Sequence, residues 1–337
     1  MSNTAKPVDL PDLQGKKILI TGGLGFIGSN LARKCLEMGA SVTIYDSLDP
    51  QSGGNLFNVA DIANDVELRF HDIANFDRIA ECILGKDILF NCAASTSHPF
   101  SMKEPWLNLD VNGRGVINLL EAARRFNSEI KFVHVGTTTQ LGKLLYQPAD
   151  EKHAEFPMDI YSANKSVSEK YTLIYGSAYD IPTTVIRLPN VYGPRAAIHS
   201  SEFTFNNFFI GLALQGKDIT VYGQGTQLRN VLYVDDAVMA LIYASQSKET
   251  NNQALFAVGD KHYSVAQIAE ATASVIGSCS VRYIEWPQSR KAIEVGDAVI
   301  SNQNFKRLVS WEPKTDLTEG LELTSEFFRS SLDKYIK

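Results

Sequence analysis

Residues 17–46, KILITGGLGFIGSNLARKCLEMGASVTIYD, constrain the fold of this chain more than any other stretch. Lys17 to Thr21 is a short apolar run that stops at glycines, the pattern of a buried strand. Phe26, Ile27, Leu31 and Leu36 then share one face of a helix, and Gly39 offers it a left-handed end. A second apolar run, Val42 to Tyr45, finishes at Asp46. Gly22, Gly25 and Gly28 fit G-x-x-G-x-x-G at the first turn. One such glycine lets the chain reverse tightly, another lets backbone approach a diphosphate, and the third lets helix pack on strand. The helix start offers unpaired N–H groups and a positive dipole end to the phosphates. Asp46 lies 18 residues past Gly28, at the tip of the second strand, where a carboxylate can accept both ribose hydroxyls. A purely structural glycine turn leaves that acid unexplained. No Lys or Arg follows Asp46 until Arg69, so nothing nearby would pair with a 2′-phosphate, and NAD is favoured over NADP.

The same rhythm continues. A polar loop, Ser47 to Asn55, leads to a strand at Glu67 to Phe70, and Asp72 then stands where it can reach the adenine end of a dinucleotide. A helix around Ile79 to Ile83 precedes a strand at Asp87 to Cys92, which ends in Ala93 and Ala94, small residues that leave room for a bulky cofactor. A helix through Val111 to Arg125, a strand at Ile130 to Val135, a helix from Tyr161 to Tyr175 and a strand at Thr183 to Arg187 follow. Regular alternation of this kind predicts an α/β fold, a Rossmann-type doubly wound parallel sheet. From Leu188 onward the pattern becomes turn-rich and its helices shorten, which predicts a smaller C-terminal α/β substrate lobe. The expected division is an NAD-binding domain over 12–188, with a returning segment near 229–246, and a substrate-binding lobe over 189–337.

A chain of 337 residues can bury the core of two such lobes. Its net charge is −6 with no long basic run, so neither nucleic acid nor an anionic membrane is an expected partner. The polar start, MSNTAKPVDLPDLQGK, lacks the apolar core of a signal peptide, and no apolar stretch reaches membrane-spanning length. Cys35, Cys82, Cys92 and Cys279 are scattered without CxxC spacing, which reads as reduced thiols in a cytoplasm. His71, His134, His153, His199 and His262 show no ligand spacing with cysteine or one another, so no metal is expected. Asp235-Asp236 reads as a helix cap and Trp286 and Trp311 as packing residues.

Chemistry is concentrated in Thr137, Tyr161 and Lys165. Tyr161 and Lys165 are four apart on one helix and therefore share a face. A tyrosine normally titrates near pH 10, but a nearby ammonium and a cationic nicotinamide both favour the phenolate. Tyr161 can then take a proton from a sugar hydroxyl while hydride leaves the same carbon, with Thr137 holding that oxygen from a strand tip. The bland alternative is a surface tyrosine beside a solvated lysine; the fingerprint upstream and the strand-tip hydroxyl select the catalytic reading.

TGGLGFIG, YSANK, RLPNVYGPR and VYGQGTQLRNVLYVDDAVMA together resemble an extended short-chain dehydrogenase/reductase, and more narrowly the NAD-dependent nucleotide-sugar epimerase/dehydratase family, of the UDP-glucose 4-epimerase type. The resemblance runs from Lys17 to the WEPKTDLTEGL segment. It implies tightly held NAD, a nucleoside-diphosphate sugar between the lobes, a homodimer through a helix bundle, and commonly a place in polysaccharide biosynthesis. The cofactor set then comprises Gly22, Gly25, Phe26, Ile27, Gly28, Asp46, Asp72, Ile73, Ala93, Ala94, Asn112, Tyr161, Lys165 and Leu188. The substrate set comprises Ser97, His98, Thr138, Asn190, Arg229 and Arg290.

The branch of the family follows by subtraction. Dehydratases carry Asp and Glu directly after the strand-tip threonine, and uronate decarboxylases carry Glu two positions after it. Here those places hold Thr138 and Thr139, which cannot act as carboxylic acids. What remains is C4 inversion of an NDP-hexose or NDP-uronic acid through a transient 4-keto sugar. The alternatives are dehydration, decarboxylation or 4-keto reduction. Three departures stand out: Gln140-Leu141-Gly142 replaces V-Y-G, Arg229-Asn230-Val231 replaces R-D-F/Y, and Glu294 replaces a phosphate-binding arginine. Arg290 and Lys291 lie just upstream of that last position.

Overall fold

The computed structural model describes residues 11–49, 51–277, 279–291 and 294–336, without the side chains of 289 and 290. The first half runs β1 (Lys17–Thr21), α1 (Phe26–Glu37), β2 (Ser41–Asp46), β3 (Val66–Phe70), α2 (Phe76–Ile83) and β4 (Ile88–Asn91). Then come α3 (His98–Lys103), α4 (Pro105–Leu109), a π-helical turn at Asp110–Arg114, α5 (Gly115–Phe126), β5 (Lys131–Thr137), α6 (Ile160–Tyr179) and β6 (Thr183–Leu188). The second half adds β7 (Asn190–Tyr192), α7 (Phe205–Leu214), β8 (Ile219–Tyr222), β9 (Leu228–Tyr233), α8 (Val234–Gln246) and β10 (Gln253–Phe256). It closes with β11 (His262–Ser264), α9 (Val265–Ile276), β12 (Val281–Ile284), α10 (Gln288–Lys291), α11 (Gln303–Val309) and α12 (Leu317–Arg329).

The main sheet has the order β10-β6-β5-β4-β1-β2-β3, and every pairing in it is parallel. The chain winds outward from β1 to β3, crosses back, and winds outward again from β4. Strands β1 and β4 therefore flank a switch point, where a crevice opens beyond their carboxyl ends. α1 seals the sheet near that point with Leu31, Ala32 and Cys35 buried, and Gly39 follows it at φ 80°, the left-handed stop its sequence predicts.

β6 of the main sheet ends at Leu188, and β7 begins the strands outside that sheet. The returning segment does contain α8, which packs on α1, β5 and β6, but the return continues into β10, the seventh strand of the main sheet. β7, β9 and β11 form a separate three-stranded sheet, and β8 pairs with β12. One hydrophobic cluster runs from Ile18 and Leu31 through Phe209 and Ile268 to Phe328, so both lobes share a core. Asp236 caps something other than its own helix: its carboxylate accepts the Lys314 and Thr315 N–H groups at 2.9 and 3.0 Å. Its carbonyl accepts the Nε1–H of buried Trp311 at 3.0 Å. No described helix is long and apolar enough to cross a membrane.

Candidate active site

The crevice at the switch point is a cavity of about 690 Å³. Its floor is the glycine turn. Gly22 has φ 68°, and a Cβ there would lie 2.7 Å from the Ala93 nitrogen. On Gly28 a Cβ would lie 2.3 Å from the Gly22 carbonyl oxygen. Both glycines are required by close backbone packing. Gly25 differs, because a Cβ there meets only the Gly22 oxygen, at 3.2 Å, and otherwise opens on the cavity. α1 begins beside it with no capping side chain and no acid in its first turn. The leading N–H groups of Phe26, Ile27 and Gly28 thus border the cavity at the positive end of a helix. Asp46 lines the β2 tip, its two oxygens accepting the Leu24 and Leu48 N–H groups at 3.0 and 2.8 Å. Burial raises its pKa, against those two hydrogen bonds. Asp72, Ile73, Ala93, Ala94 and Leu188 complete this side. An uncapped helix start, an open glycine and an acid on the second strand fit the diphosphate and ribose of a dinucleotide.

Asn112, expected beside the cofactor, does not line the cavity. It is buried in the π-helical turn, where Nδ2 donates to the Ser95 carbonyl at 2.9 Å and Oδ1 accepts the Ser95 N–H at 3.0 Å. It braces the segment that follows Ala94.

Thr137 stands at the end of β5, Tyr161 and Lys165 on α6, and all three line the cavity. The hydroxyls of Ser162, Thr139 and Thr137 form a chain with 3.1 Å steps. Burial pushes Tyr161 up to about 12, with Thr137 pulling down and Asp159 pushing up. Lys165 stands four residues beyond Tyr161 on α6. Its Nζ donates to the Val135 carbonyl at 2.6 Å and lies 3.2 Å from His134 Nε2, which turns it toward β5. Burial lowers Lys165 to about 8. Burial likewise pushes the Cys92 thiol up to about 12, so it offers no thiolate.

The expected substrate residues divide. His98, Thr138 and Asn190 line the cavity. Asn190 Nδ2 donates to the Asn230 carbonyl at 3.2 Å. Ser97 does not line it: buried as the N-cap of α3, its hydroxyl accepts from the Phe100 N–H and donates to Glu202 at 3.2 Å. Arg229 also lies outside the lining, bound to Glu294. The side chain of Arg290 falls outside the described residues. Sequence reasoning missed Asn207, which lines the cavity from α7. Its Nδ2 donates to Val191 and Thr204, leaving Oδ1 buried without a partner. Within the run FNNFFIGLAL nothing marks it as different from a core helix position.

A cradle for NAD at the switch point, with a Tyr-x-x-x-Lys pair and a strand-tip threonine beside it, defines an NAD-dependent enzyme of the extended short-chain dehydrogenase/reductase class. The chain belongs to the NAD dependent epimerase/dehydratase family, whose model matches residues 18–263. A UDP-glucose 4-epimerase of Mycolicibacterium smegmatis is 29% identical over 93% of this chain and 99% of its own. UDP-glucuronic acid decarboxylase 1 of Xenopus tropicalis is 28% identical over 96% of this chain and 75% of its own. The structure of a UDP-glucose 4-epimerase from Thermotoga maritima, determined with UDP-glucose, superposes with a TM-score of 0.85 at 27% identity, covering 94% of this chain and 99% of that one. Relatives of both chemistries are thus equally similar.

Proposed function

We propose that this protein is a nucleotide-sugar epimerase that inverts C4 of an NDP-hexose or NDP-uronic acid through a 4-keto sugar. The observation that carries the reading is the neutral hydroxyl chain Ser162–Thr139–Thr137 at the sugar end of the cavity. Elimination or decarboxylation would need a carboxyl group where Thr138 and Thr139 stand. The carboxylates that line the cavity are Asp46, Asp49 and Asp72, all at the β2–β3 end.

Gly25, the start of α1, Asp46 and Lys165 would hold NAD, which supplies reversible hydride acceptance at C4. Tyr161 takes the proton of the C4 hydroxyl and later returns it. Thr137 holds that oxygen in line with the tyrosine. Burial and Asp159 both disfavour the Tyr161 phenolate that would act as the base, so positive charge close by must favour it for turnover.

The same reading takes 12–188 with the returning segment as the cofactor domain and most of 189–337 as the substrate lobe. It places a homodimer in the cytoplasm, in polysaccharide biosynthesis. Exposed apolar side chains on α4 and α6, Trp106 at 78% and Ile174 at 56%, support self-association. The test is to denature protein purified without added cofactor, identify the released nucleotide, and incubate intact enzyme with UDP-, GDP-, CDP- and dTDP-sugars under NMR. Co-purified NAD with inversion at C4 and no net NADH supports the reading. Loss of water or carbon dioxide, or stoichiometric NADH consumption, overturns it.

A further inference from the structure

C4 inversion uses Tyr161, Thr137 and Lys165 and leaves one titratable side chain at the sugar end without a task. His98 borders the cavity with 34% of its side chain exposed. Its ring meets the Tyr161 ring edge-on, with centroids 4.7 Å apart. Its Nδ1 lies 2.6 Å from Asp159 Oδ2. Asp159 is the N-cap of α6, and its other oxygen accepts the Ser162 N–H at 2.7 Å. The helix that carries Tyr161 therefore also fixes the carboxylate behind His98. Burial pushes Asp159 up, but His98 and Ser162 outweigh it and hold the carboxyl below its usual range. Ser101 locks the two elements together, its hydroxyl accepting the Tyr161 N–H at 3.1 Å and donating to the His98 carbonyl at 2.7 Å.

A carboxylate only accepts hydrogen bonds, so Nδ1 carries a hydrogen, and in the neutral ring Nε2 is then the nitrogen that keeps its lone pair. Among the described residues no group donates to Nε2. An imidazole oriented by a carboxylate, with its second nitrogen free at a reaction site, is the arrangement of a general base.

We propose that His98, positioned by Asp159, is a second proton-transfer group, which removes the hydrogen from C3 or C5 of the 4-keto sugar. The inference rests on the C4 reading. Once C4 is a ketone, its neighbouring C–H bonds become acidic, because the electron pair left behind delocalises onto O4. His98 Nε2 takes the proton, the C–H pair forms a carbon–carbon double bond, and the carbonyl π pair moves to O4. The Tyr161 hydroxyl, carrying the proton it took from O4, stabilises that oxygen together with Thr137. In reverse, Nε2 returns a proton to the same face of the same carbon. One base thus gives exchange with solvent at retained configuration and needs no further oxidant or reductant.

The experiment supplies the ketone ready-made, so that C4 oxidation is not required. Nucleotide-loaded protein is incubated in D2O with dTDP- and UDP-4-keto-6-deoxyglucose; binding is followed by saturation-transfer NMR and deuterium at C3 and C5 by proton NMR. Wild-type protein is expected to exchange one of these hydrogens about 100-fold faster than buffer. H98N, checked for an unchanged thermal transition and nucleotide content, is expected to fall within about twofold of buffer, with D159N between the two. H98Q takes its place if H98N misfolds. A strut between α3 and α6 would not move this rate. Bound ketone without exchange above buffer, or exchange undiminished by H98N and H98Q, overturns the inference alone. Failure of both ketones to bind overturns the nucleotide-sugar reading and the inference with it.

Discussion

The Arg229 guanidinium on β9 lies 2.5 Å from the Glu294 carboxylate, and neither side chain lines the cavity. The same guanidinium donates to the carbonyls of Leu228 and Gly296 at 2.9 and 2.6 Å, and Glu294 also accepts the Gly296 N–H at 3.0 Å. Glu294 thus holds on Arg229 the kind of place a phosphate oxygen would take, in a site where both side chains are largely buried.

Removing that charge should release the arginine. E294Q keeps the shape of the side chain and is expected to tighten UDP binding by about three- to tenfold, since a phosphate no longer competes with a carboxylate. Calorimetry measures it. Unchanged affinity would mean that Arg229 serves the turn alone.

Y161F keeps the ring against His98 and removes the proton acceptor. Turnover at C4 is expected to fall by two to four orders of magnitude, about the worth of a positioned acid–base group. NAD content after denaturation should remain near that of wild type. Undiminished inversion would sink the mechanism.

The glycine turn separates packing from binding. G28A drives a Cβ to 2.3 Å from the Gly22 oxygen, which costs about 2 kcal/mol or more and lowers the melting temperature. Gly25 has φ −78° and a Cβ there meets only the Gly22 oxygen, at 3.2 Å, so G25A is expected to melt closer to wild type than G28A, within about 3 °C, while copurifying less NAD. Scanning calorimetry and nucleotide analysis read the two effects independently. Equal losses of stability in both variants would contradict this division.

Lys131, at the start of β5, supplies a pH-dependent term far from the reaction. Its Nζ donates to Thr184 at 2.8 Å, to Thr250 and to Asn251, yet burial lowers it from 10.5 to about 7. Between these values the unfolded chain binds a proton that the folded one does not, so this contribution rises with pH and the penalty is full below about 7. Wild type should gain on the order of 2 kcal/mol relative to K131M between pH 7 and 9.5. Urea unfolding at both values tests it; a constant difference would show that the three oxygen acceptors keep Lys131 charged.

Much of the site was legible because its signals are local. The strand–glycine–helix unit depends on near-neighbour sterics and periodicity, and Gly22, Gly28, Asp46, Tyr161 and Lys165 all reach the cavity as their spacing implied. β10 was not legible: QALF resembles any short apolar run, and only its parallel pairing with β6 makes it the seventh strand. Asn112 and Ser97 were expected beside the cofactor and sugar, but neither lines the cavity and each spends its hydrogen bonds on backbone or a neighbouring side chain. Lys165 shares the predicted face with Tyr161, yet the Val135 carbonyl decides where its amine points.

The sequence by itself determined the cradle, the cofactor class and the tyrosine–lysine helix, because backbone reversal, glycine contacts and helical periodicity act over a few residues. Only the tertiary structure decided that His98 stands on Tyr161 with Asp159 behind it, and that Glu294 claims Arg229. Those pairings join segments 61 and 65 residues apart, and their geometry comes from sheet register and helix packing, which no local pattern encodes.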